Sequence, residues 1–214
     1  TTDSEDVPSL LAPQIPLVRE AFGLLGIPVI GADGQEADDV LGALSREWNG
    51  STIVVSGDRD LFQLADDSRQ VSVLYTGAGM KKLQHVDDAW LNAKYGLAPG
   101  QYLDFAALRG DASDGLPGVA GIGDKTAAKL LSEFGNIEGI LDAAESGSPG
   151  FSDRIRGNIV AARDYLVAVK QVIEVGKDLA VGPIENNQDP QVEAFKEFAD
   201  RWSLGRPAVR VLAA

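Results

Sequence analysis

The chain has 214 residues, 44% hydrophobic and 24% charged, with a formal net charge of −13 and no cysteine. It is long and apolar enough to bury a sizeable core, and the lack of cysteine excludes disulfides and thiolate metal sites. No run approaches the roughly 18 apolar residues of a membrane span, no basic-then-apolar leader opens the chain so that a cytoplasmic protein is expected, and the acidic total at first sight argues against a nucleic-acid partner.

In chain order, residues 1–13 form a polar, proline-punctuated lead-in. Ile15, Val18, Phe22 and Leu25 then recur at helical spacing until Gly26 and Pro28 stop the pattern. Pro28-Val29-Ile30 is a short strand candidate. Glu36-Ala37-Asp38-Asp39 opens a helix running to about Trp48, and Thr52-Ile53-Val54-Val55-Ser56 is a continuous apolar run. Such a run suggests a parallel strand buried on both faces. A short helix at 61–64 and a strand at 71–75 continue the alternation, which makes residues 1–80 the α/β part. Beyond Thr76-Gly77-Ala78-Gly79 the strand signals fade, and residues 81–214 are expected to be helical. Asp87 caps a helix ending near Gly96, and 99–109 is a second helix stopped by Gly110. A loop at 111–124 follows, then helices at 125–134, 137–144 and 158–175. After loop chemistry from Gly182 one more amphipathic helix spans about 192–202.

Three acidic groups follow apolar segments: Glu36/Asp38/Asp39, Asp58/Asp60 and Asp111/Asp114. In α/β sheets ligands gather beyond the carboxyl ends of strands, where Asp58 and Asp60 stand. The i, i+3 spacing puts Glu36 and Asp39 on one helix face, with Asp38 about 100° round from its neighbour. Acids in a first helical turn also serve as caps and favour the macrodipole, which is an equally good account of Glu36 or Asp60 taken singly. Three tight groups are harder to explain that way, because gathered like charges need a compensating cation. Without cysteine, and with His85 reading as an ordinary surface residue, oxygen ligands point to Mg²⁺ or Mn²⁺ and away from zinc. Two such ions suit in-line displacement at phosphorus, that is, phosphodiester hydrolysis.

Gly118-Val119-Ala120-Gly121-Ile122-Gly123-Asp124-Lys125-Thr126-Ala127-Ala128-Lys129-Leu130-Leu131 is the most specific segment. Its glycines allow a tight turn with outward amides, and the helix that follows carries Lys125 and Lys129 one turn apart. That arrangement grips a phosphate without reading a base. A plain helix-helix turn is the alternative; the Lys-Thr-Ala and paired leucines instead resemble the hairpins of helix-hairpin-helix DNA-binding proteins.

With Gln35-Glu36-Ala37-Asp38-Asp39-Val40-Leu41-Gly42, Val55-Ser56-Gly57-Asp58-Arg59-Asp60-Leu61-Phe62-Gln63-Leu64 and Leu108-Arg109-Gly110-Asp111-Ala112-Ser113-Asp114-Gly115-Leu116-Pro117-Gly118 in that order before the hairpin, the chain resembles the 5′-3′ exonuclease and flap endonuclease family, which includes the N-terminal nuclease domain of bacterial DNA polymerase I. The resemblance implies an α/β fold with a mainly parallel central sheet, a PIN-like nuclease core, followed by a helical part with a helix-three-turn-helix motif at about 110–135. It implies a structure-selective 5′ nuclease of replication and repair, acting on 5′ ends, 5′ flaps and nicked or gapped duplexes, as a monomer and with a DNA polymerase as a possible partner. By motif match Glu36, Asp38 and Asp39 serve a first metal site and Asp58, Asp60, Asp111 and Asp114 a second, with Asp39, Asp58, Asp111 and Asp114 as the catalytic acids. Lys125 matches the family's hairpin lysine, and Gly118, Gly121, Gly123, Thr126 and Lys129 join it as DNA contacts. Lys81, Lys82 and Arg59 are either further phosphate contacts or solvated surface. A K⁺ ion at the carbonyls of Gly118, Ala120 and Ile122 is also implied.

The family begins with two strands bearing metal-site aspartates and a basic helical arch, none of which precedes Thr1. The first metal site is therefore expected to be incomplete and the second, with four ligands, to hold its ion more securely. The charge distribution agrees with a DNA partner better than the total does. Residues 1–42 hold eight acids against Arg19, and 174–200 hold seven against Lys177 and Lys196. The intervening 43–173 carry 13 basic and 17 acidic residues, four of which are Asp58, Asp60, Asp111 and Asp114. Two other functions compete: a non-catalytic DNA-binding module of the same fold, and a metal phosphatase for small substrates.

Overall fold

The computed structural model describes residues 10–111, 115–176, 179–181 and 189–213. The chain divides into two compact units, Thr1–Asp33 with Gly182–Ala214, and Gly34–Val181. These units follow a different division from the expected 1–80 and 81–214, because the first draws on both ends of the chain.

In the first unit, α1 (Ile15–Leu24) packs on α9 (Val192–Arg201), and α10 (Arg206–Leu212) packs on α9. Phe195, Ala199 and Ala208 pack against Ala21, Leu24, Leu25 and Leu212, and the Gln191 amide donates to Leu24 O at 2.7 Å. α10, with proline in its first turn, was not expected from the sequence. The Pro28-Val29-Ile30 candidate is not a strand: no described strand pairs with it, and Val29 stands exposed. Three residues without a hydrogen-bonding neighbour cannot hold a strand.

The second unit is built on a three-stranded sheet, order β1 (Thr52–Ser56), β2 (Val71–Tyr75), β3 (Gln84–Val86). β1 and β2 run parallel in the register Thr52↔Val71 to Ser56↔Tyr75, and β3 is antiparallel to β2 through Val73↔Val86. The sheet is thus small and mixed, not mainly parallel. β3 escaped the sequence reading because three residues with one inward apolar side chain carry almost no alternation. The central β2 buries Val71, Val73 and Tyr75, whereas β1 buries only Val54 and leaves Ile53 and Val55 59% and 58% exposed. β1 is an edge strand of the described sheet, covered on one face. Phe62 fills that covered side, edge-on to Tyr75 at 5.1 Å and to Trp90 at 5.6 Å between ring centroids.

Helices α2 (Ala37–Glu47) and α3 (Asp88–Tyr95) flank the sheet. Asp87 caps α3 through the Trp90 amide at 2.7 Å, and Gly96 ends it in the left-handed conformation. α4 (Tyr102–Arg109) starts later than the expected residue 99, since Gly100 turns at φ +76 and Gln101 caps the corner by accepting from the Ala98 amide at 2.9 Å. α5 (Asp124–Phe134) and α6 (Ile137–Glu145) match expectation. The single helix expected at 158–175 is instead two, α7 (Asp153–Ala161) and α8 (Arg163–Ile173), broken at Ala162. α7 packs on α6 and α8 on α4, and one straight rod could not serve both.

Buried charge ties the helices together. Asp104 on α4 accepts from the Ile137 amide at the start of α6 and from Lys170 Nζ on α8, each at 3.0 Å. The segment after α8 returns to α2. Gln63 donates to Ile173 O at 2.8 Å and accepts from the Val175 amide at 3.1 Å, and Arg46 donates to the carbonyls of Val175 and Gly176. A Cβ on Gly42 would lie 2.8 Å from Val175 O, so the two backbones touch and only glycine fits.

Candidate active site

All the sequence-predicted site residues lie in the second unit. Glu36 caps α2 in a reciprocal capping box: its side chain accepts from the Asp39 amide, and Asp39 Oδ2 accepts from the Glu36 amide at 3.3 Å. Asp39 Oδ1 accepts from the Gly176 amide at 2.9 Å. Both Asp39 oxygens are therefore engaged by backbone.

Asp38 is different. Burial raises its pKa first, and the negative fields of Asp58, Glu36 and Asp39 raise it further. Asp58 follows β1, in a turn where its amide donates to Ser56 Oγ at 3.0 Å and its Oδ1 accepts from the Asp60 amide at 2.8 Å. The fold thus brings the first acid group, through Asp38, into the field of the second, through Asp58. Charge-gathering of this kind favours either a proton or a cation.

Asp60 begins the 3-10 turn Asp60–Leu64 and adds to the field around Tyr102. Tyr102 is buried, with no partner for its hydroxyl among the described residues; burial pushes its phenol far above the ordinary value, and Arg109 pulls it back. Asp111 opens the loop after α4, bridged to Leu116 by paired backbone bonds of 3.0 and 2.8 Å, with Arg109 at 3.5 Å from its Oδ2. Asp114 lies outside the described residues. Among the described residues no three acids converge on a single metal-holding point. The donor set is nevertheless all oxygen, and the Asp38 environment favours positive charge, so the residues fit a hard divalent cation.

The glycine-rich segment leads into α5. Gly118 turns at φ +63 and Gly121 at φ +79. Gly118 does not present a free amide: it donates to the Tyr165 hydroxyl at 3.0 Å. Among the described residues nothing accepts from the Gly121 and Gly123 amides. Gly123 caps α5 without a side-chain acceptor, leaving the helix's positive end open beside exposed Lys125 and Lys129, with Thr126 half-buried between them. Ala120 O accepts from Asn158 Nδ2 at 2.7 Å, and Ile122 is buried. Lys81 and Lys82 are exposed in the 3-10 turn Met80–Lys82. Arg59 leans on Tyr75, its Nε 3.4 Å from the hydroxyl, which favours its charged form. His85 sits on the surface, 2.8 Å from Ser72 Oγ.

Sequence reasoning missed Arg109, which rides over the Phe105 ring at 5.5 Å while facing Asp111. The signal was present in Leu108-Arg109-Gly110-Asp111, where a cation stands two residues from an acid. It also missed Tyr165 and Asn158, for which local sequence holds no cue.

The comparisons with known proteins divide the chain in two. Residues 3–96 match the 5′-3′ exonuclease N-terminal resolvase-like domain, and 97–194 match the 5′-3′ exonuclease C-terminal SAM fold. A 5′-3′ exonuclease of Streptomyces coelicolor is 42% identical over 213 residues, covering 98% of this chain and 71% of the relative. One from Mycobacterium tuberculosis is 44% identical over 185 residues, covering 84% of the chain and 58% of the relative. The thermostable DNA polymerase I of Thermus aquaticus is 38% identical over 208 residues, 94% of the chain and 23% of that polymerase. Among solved structures, the T5 D15 protein co-crystallised with metal ions has a TM-score of 0.64 at 19% identity, over 98% of this chain and 74% of that one. The catalytic core of Rad2 in complex with DNA substrate has a TM-score of 0.64 at 18% identity, over 98% and 71%. At such identities the likeness is one of fold.

Proposed function

The chain belongs to the 5′-3′ exonuclease family, and from that premise we propose that it forms the body of a structure-selective nuclease hydrolysing DNA phosphodiester bonds near 5′ ends and 5′ flaps. The observation that carries this reading is the meeting of Asp38, at the start of α2, with Asp58, beyond the end of β1, in one electrostatic field. Glu36, Asp38 and Asp39 would serve one Mg²⁺ or Mn²⁺, and Asp58, Asp60, Asp111 and Asp114 another. Divalent ions, when bound there, supply Lewis-acid stabilisation of the charge that develops at phosphorus. The T5 D15 protein with metal ions and the Rad2 core with DNA support both partners for a chain of this fold.

The rest of the work falls to the chain's own groups. Gly121 and Gly123 offer amides, and Lys125 and Lys129 offer charge, to the sugar-phosphate backbone at the open end of α5. This is the grip of a helix-three-turn-helix motif, with Thr126 alongside. Arg59, Lys81 and Lys82 extend the positive surface. A K⁺ ion at the carbonyls of Gly118, Ala120 and Ile122 belongs to the same proposal, although Asn158 already donates to one of the three. None of these groups reads a base, so selectivity follows DNA shape and ends.

The test is cleavage by the full-length protein of 5′-flap, nicked and blunt duplexes, with Mg²⁺, with Mn²⁺ and with chelator. Metal-dependent cutting near the 5′ end, lost in Asp58→Ala, is the expected result. Binding without cutting in any metal would instead support a non-catalytic DNA-binding module.

A further inference from the structure

The loop between α4 and the glycine turn is closed at its stem by close backbone contact and by a side chain from a distant helix. A Cβ on Gly110 would come 2.4 Å from Gly118 N, and one on Gly118 would come 2.3 Å from Arg109 O. The Val119 amide donates to Leu108 O at 2.9 Å. The side chain is Tyr165 of α8. Its hydroxyl accepts from the Gly118 amide at 3.0 Å and donates to Ala107 O at 3.2 Å. Ala107 enters the stem and Gly118 leaves it, so one hydroxyl spans both sides, with Asp111 held in the loop between them. Among the natural aromatic side chains with a six-membered ring, only tyrosine both donates and accepts at this point. A second anchor comes from α7, where Asn158 Nδ2 donates to Ala120 O at 2.7 Å inside the turn itself.

We propose that Tyr165 and Asn158 are positioning residues: Tyr165 sets the loop that carries Asp111, and Asn158 sets the turn whose Gly121 and Gly123 amides face the DNA backbone. The inference rests on the nuclease reading above. A tyrosine that merely satisfied two buried backbone groups would affect folding alone. Here the two groups belong to opposite sides of one stem, so loss of the hydroxyl frees the stem to open while the ring keeps its packing. Asn158 acts on the carbonyl of Ala120, an exposed residue, so its removal is expected to leave folding almost unaffected and to change mainly the conformational freedom of the turn. The two residues therefore have separable effects, one on the acids and one on the grip.

The experiment compares full-length wild type, Tyr165→Phe, Asn158→Ala and Asn158→Asp in three measurements. These are the half-saturating Mg²⁺ concentration for cleavage of a 5′-flap duplex, the Kd for that duplex in chelator, and the midpoint of thermal unfolding. Y165F is expected to raise the Mg²⁺ requirement roughly five-fold, with much of kcat recovered at saturating Mg²⁺, and to lower the unfolding midpoint by only about 2–4 °C. A purely structural loss would reduce the active fraction without moving the Mg²⁺ midpoint. N158A is expected to weaken DNA binding roughly five-fold at an unchanged Mg²⁺ midpoint, and N158D, which sets an anion against Ala120 O and near the phosphates, to weaken it more. Amide exchange at Gly118 is followed in parallel and is expected to speed up in Y165F. If wild type cuts and Y165F keeps the wild-type Mg²⁺ midpoint while Gly118 exchanges faster, the hydroxyl positions nothing and this inference alone is overturned. If wild type cuts no substrate in any metal, the nuclease reading falls and the positioning role falls with it.

Discussion

Lys170→Met tests how the helical part is held. Lys170 Nζ lies 3.0 Å from Asp104 Oδ1 and 2.9 Å from Glu138 Oε1, and the Asp104 side chain is 9% exposed. Methionine keeps most of the aliphatic stem and removes the charge, leaving Asp104 with the Ile137 amide as its one remaining donor among the described residues. Stranding one member of a buried pair costs about 3–5 kcal/mol. Two features reduce that figure. Lys170 is 26% exposed, and the N-terminal end of α6 still faces the Asp104 carboxylate. The expected loss is about 2–3 kcal/mol, or a fall in unfolding midpoint of about 4–12 °C for a chain of this size. Urea unfolding followed by circular dichroism at pH 7 reads it. Asp104→Asn in the K170M background removes the stranded charge and keeps an acceptor for Ile137, so the double variant is expected to regain more than about 1 kcal/mol. The pH dependence follows from two shifts of opposite sign. Hydrogen bonding to Lys170 holds the Glu138 carboxyl below its ordinary value, so its contribution is present above the usual carboxylate range and is lost as pH falls through the depressed value. Burial works against the Lys170 ammonium, but its bonds to Glu138 and Asp104 outweigh it and raise the pKa; that contribution is present below the ordinary lysine value and lost as pH rises through the elevated one. The gap between wild type and K170M is therefore flat through neutrality and narrows at both extremes. A K170M protein within about 0.5 kcal/mol of wild type, or a double variant no better than the single one, would refute the reasoning.

Three further changes probe the site. Asp38→Asn is expected to abolish cleavage yet raise the stability of the metal-free protein at pH 7 by less than about 1 kcal/mol, the field of its partly exposed neighbours being screened by solvent. The sign follows from the raised carboxyl, which disfavours the charged form in the folded state, so the gain disappears when the pH is taken below the ordinary carboxylate value; thermal unfolding in chelator at about pH 3 and at pH 7 checks it. Lys125→Ala with Lys129→Ala removes two phosphate contacts and should reduce the slope of log Kd against log salt by about 1.8 for duplex DNA, read by titration between low and moderate salt. Gly118→Ala places a Cβ 2.3 Å from Arg109 O at φ +63, which only backbone movement relieves; a loss of about 3 kcal/mol or more is expected, and an unfolding curve matching wild type would contradict the close stem.

Much of the local structure was readable because it depends on neighbours in the chain. Thr52–Ser56 and Val71–Tyr75 are strands where the apolar runs place them, and Gly96, Gly110 and Gly135 end helices where the periodicity stops. What failed depends on residues far away. Val55 reads as a core valine, but its exposure is decided by what covers that face of β1. The break at Ala162 follows from packing on α6 and α4 at once, and no residue near 162 announces it. The acid groups were visible as groups, but their partition was not. Asp38 faces Asp58 across a distance that spacing along the chain does not encode, and the occupation of the Gly118 amide by Tyr165 required the α8 placement.

The run Glu36-Ala37-Asp38-Asp39 combines two tasks that one substitution series can separate. Asp39 accepts from Gly176 at 2.9 Å and from Glu36 at 3.3 Å, and it belongs to the corner where Gln63 and Arg46 also bind residues 173–176. Gly176 turns at φ +61 and a Cβ there would collide with Asp39 O, so the corner tolerates little rearrangement. Asp39→Ala removes the acceptor from two amides and is expected to cost about 1–3 kcal/mol in chelator, whereas Asp38→Ala relieves a partly buried charge and is expected to be neutral or stabilising under the same conditions. Adding Mg²⁺ should then widen the difference between wild type and D39A, because wild type gains the binding energy of an ion that Asp39 helps to hold, while the Gly176 bond is lost in D39A whether or not an ion is present. Equal stability of D38A and D39A without metal would mean that the corner is held by Arg46 and Gln63 alone, and that Asp39 acts solely as a ligand.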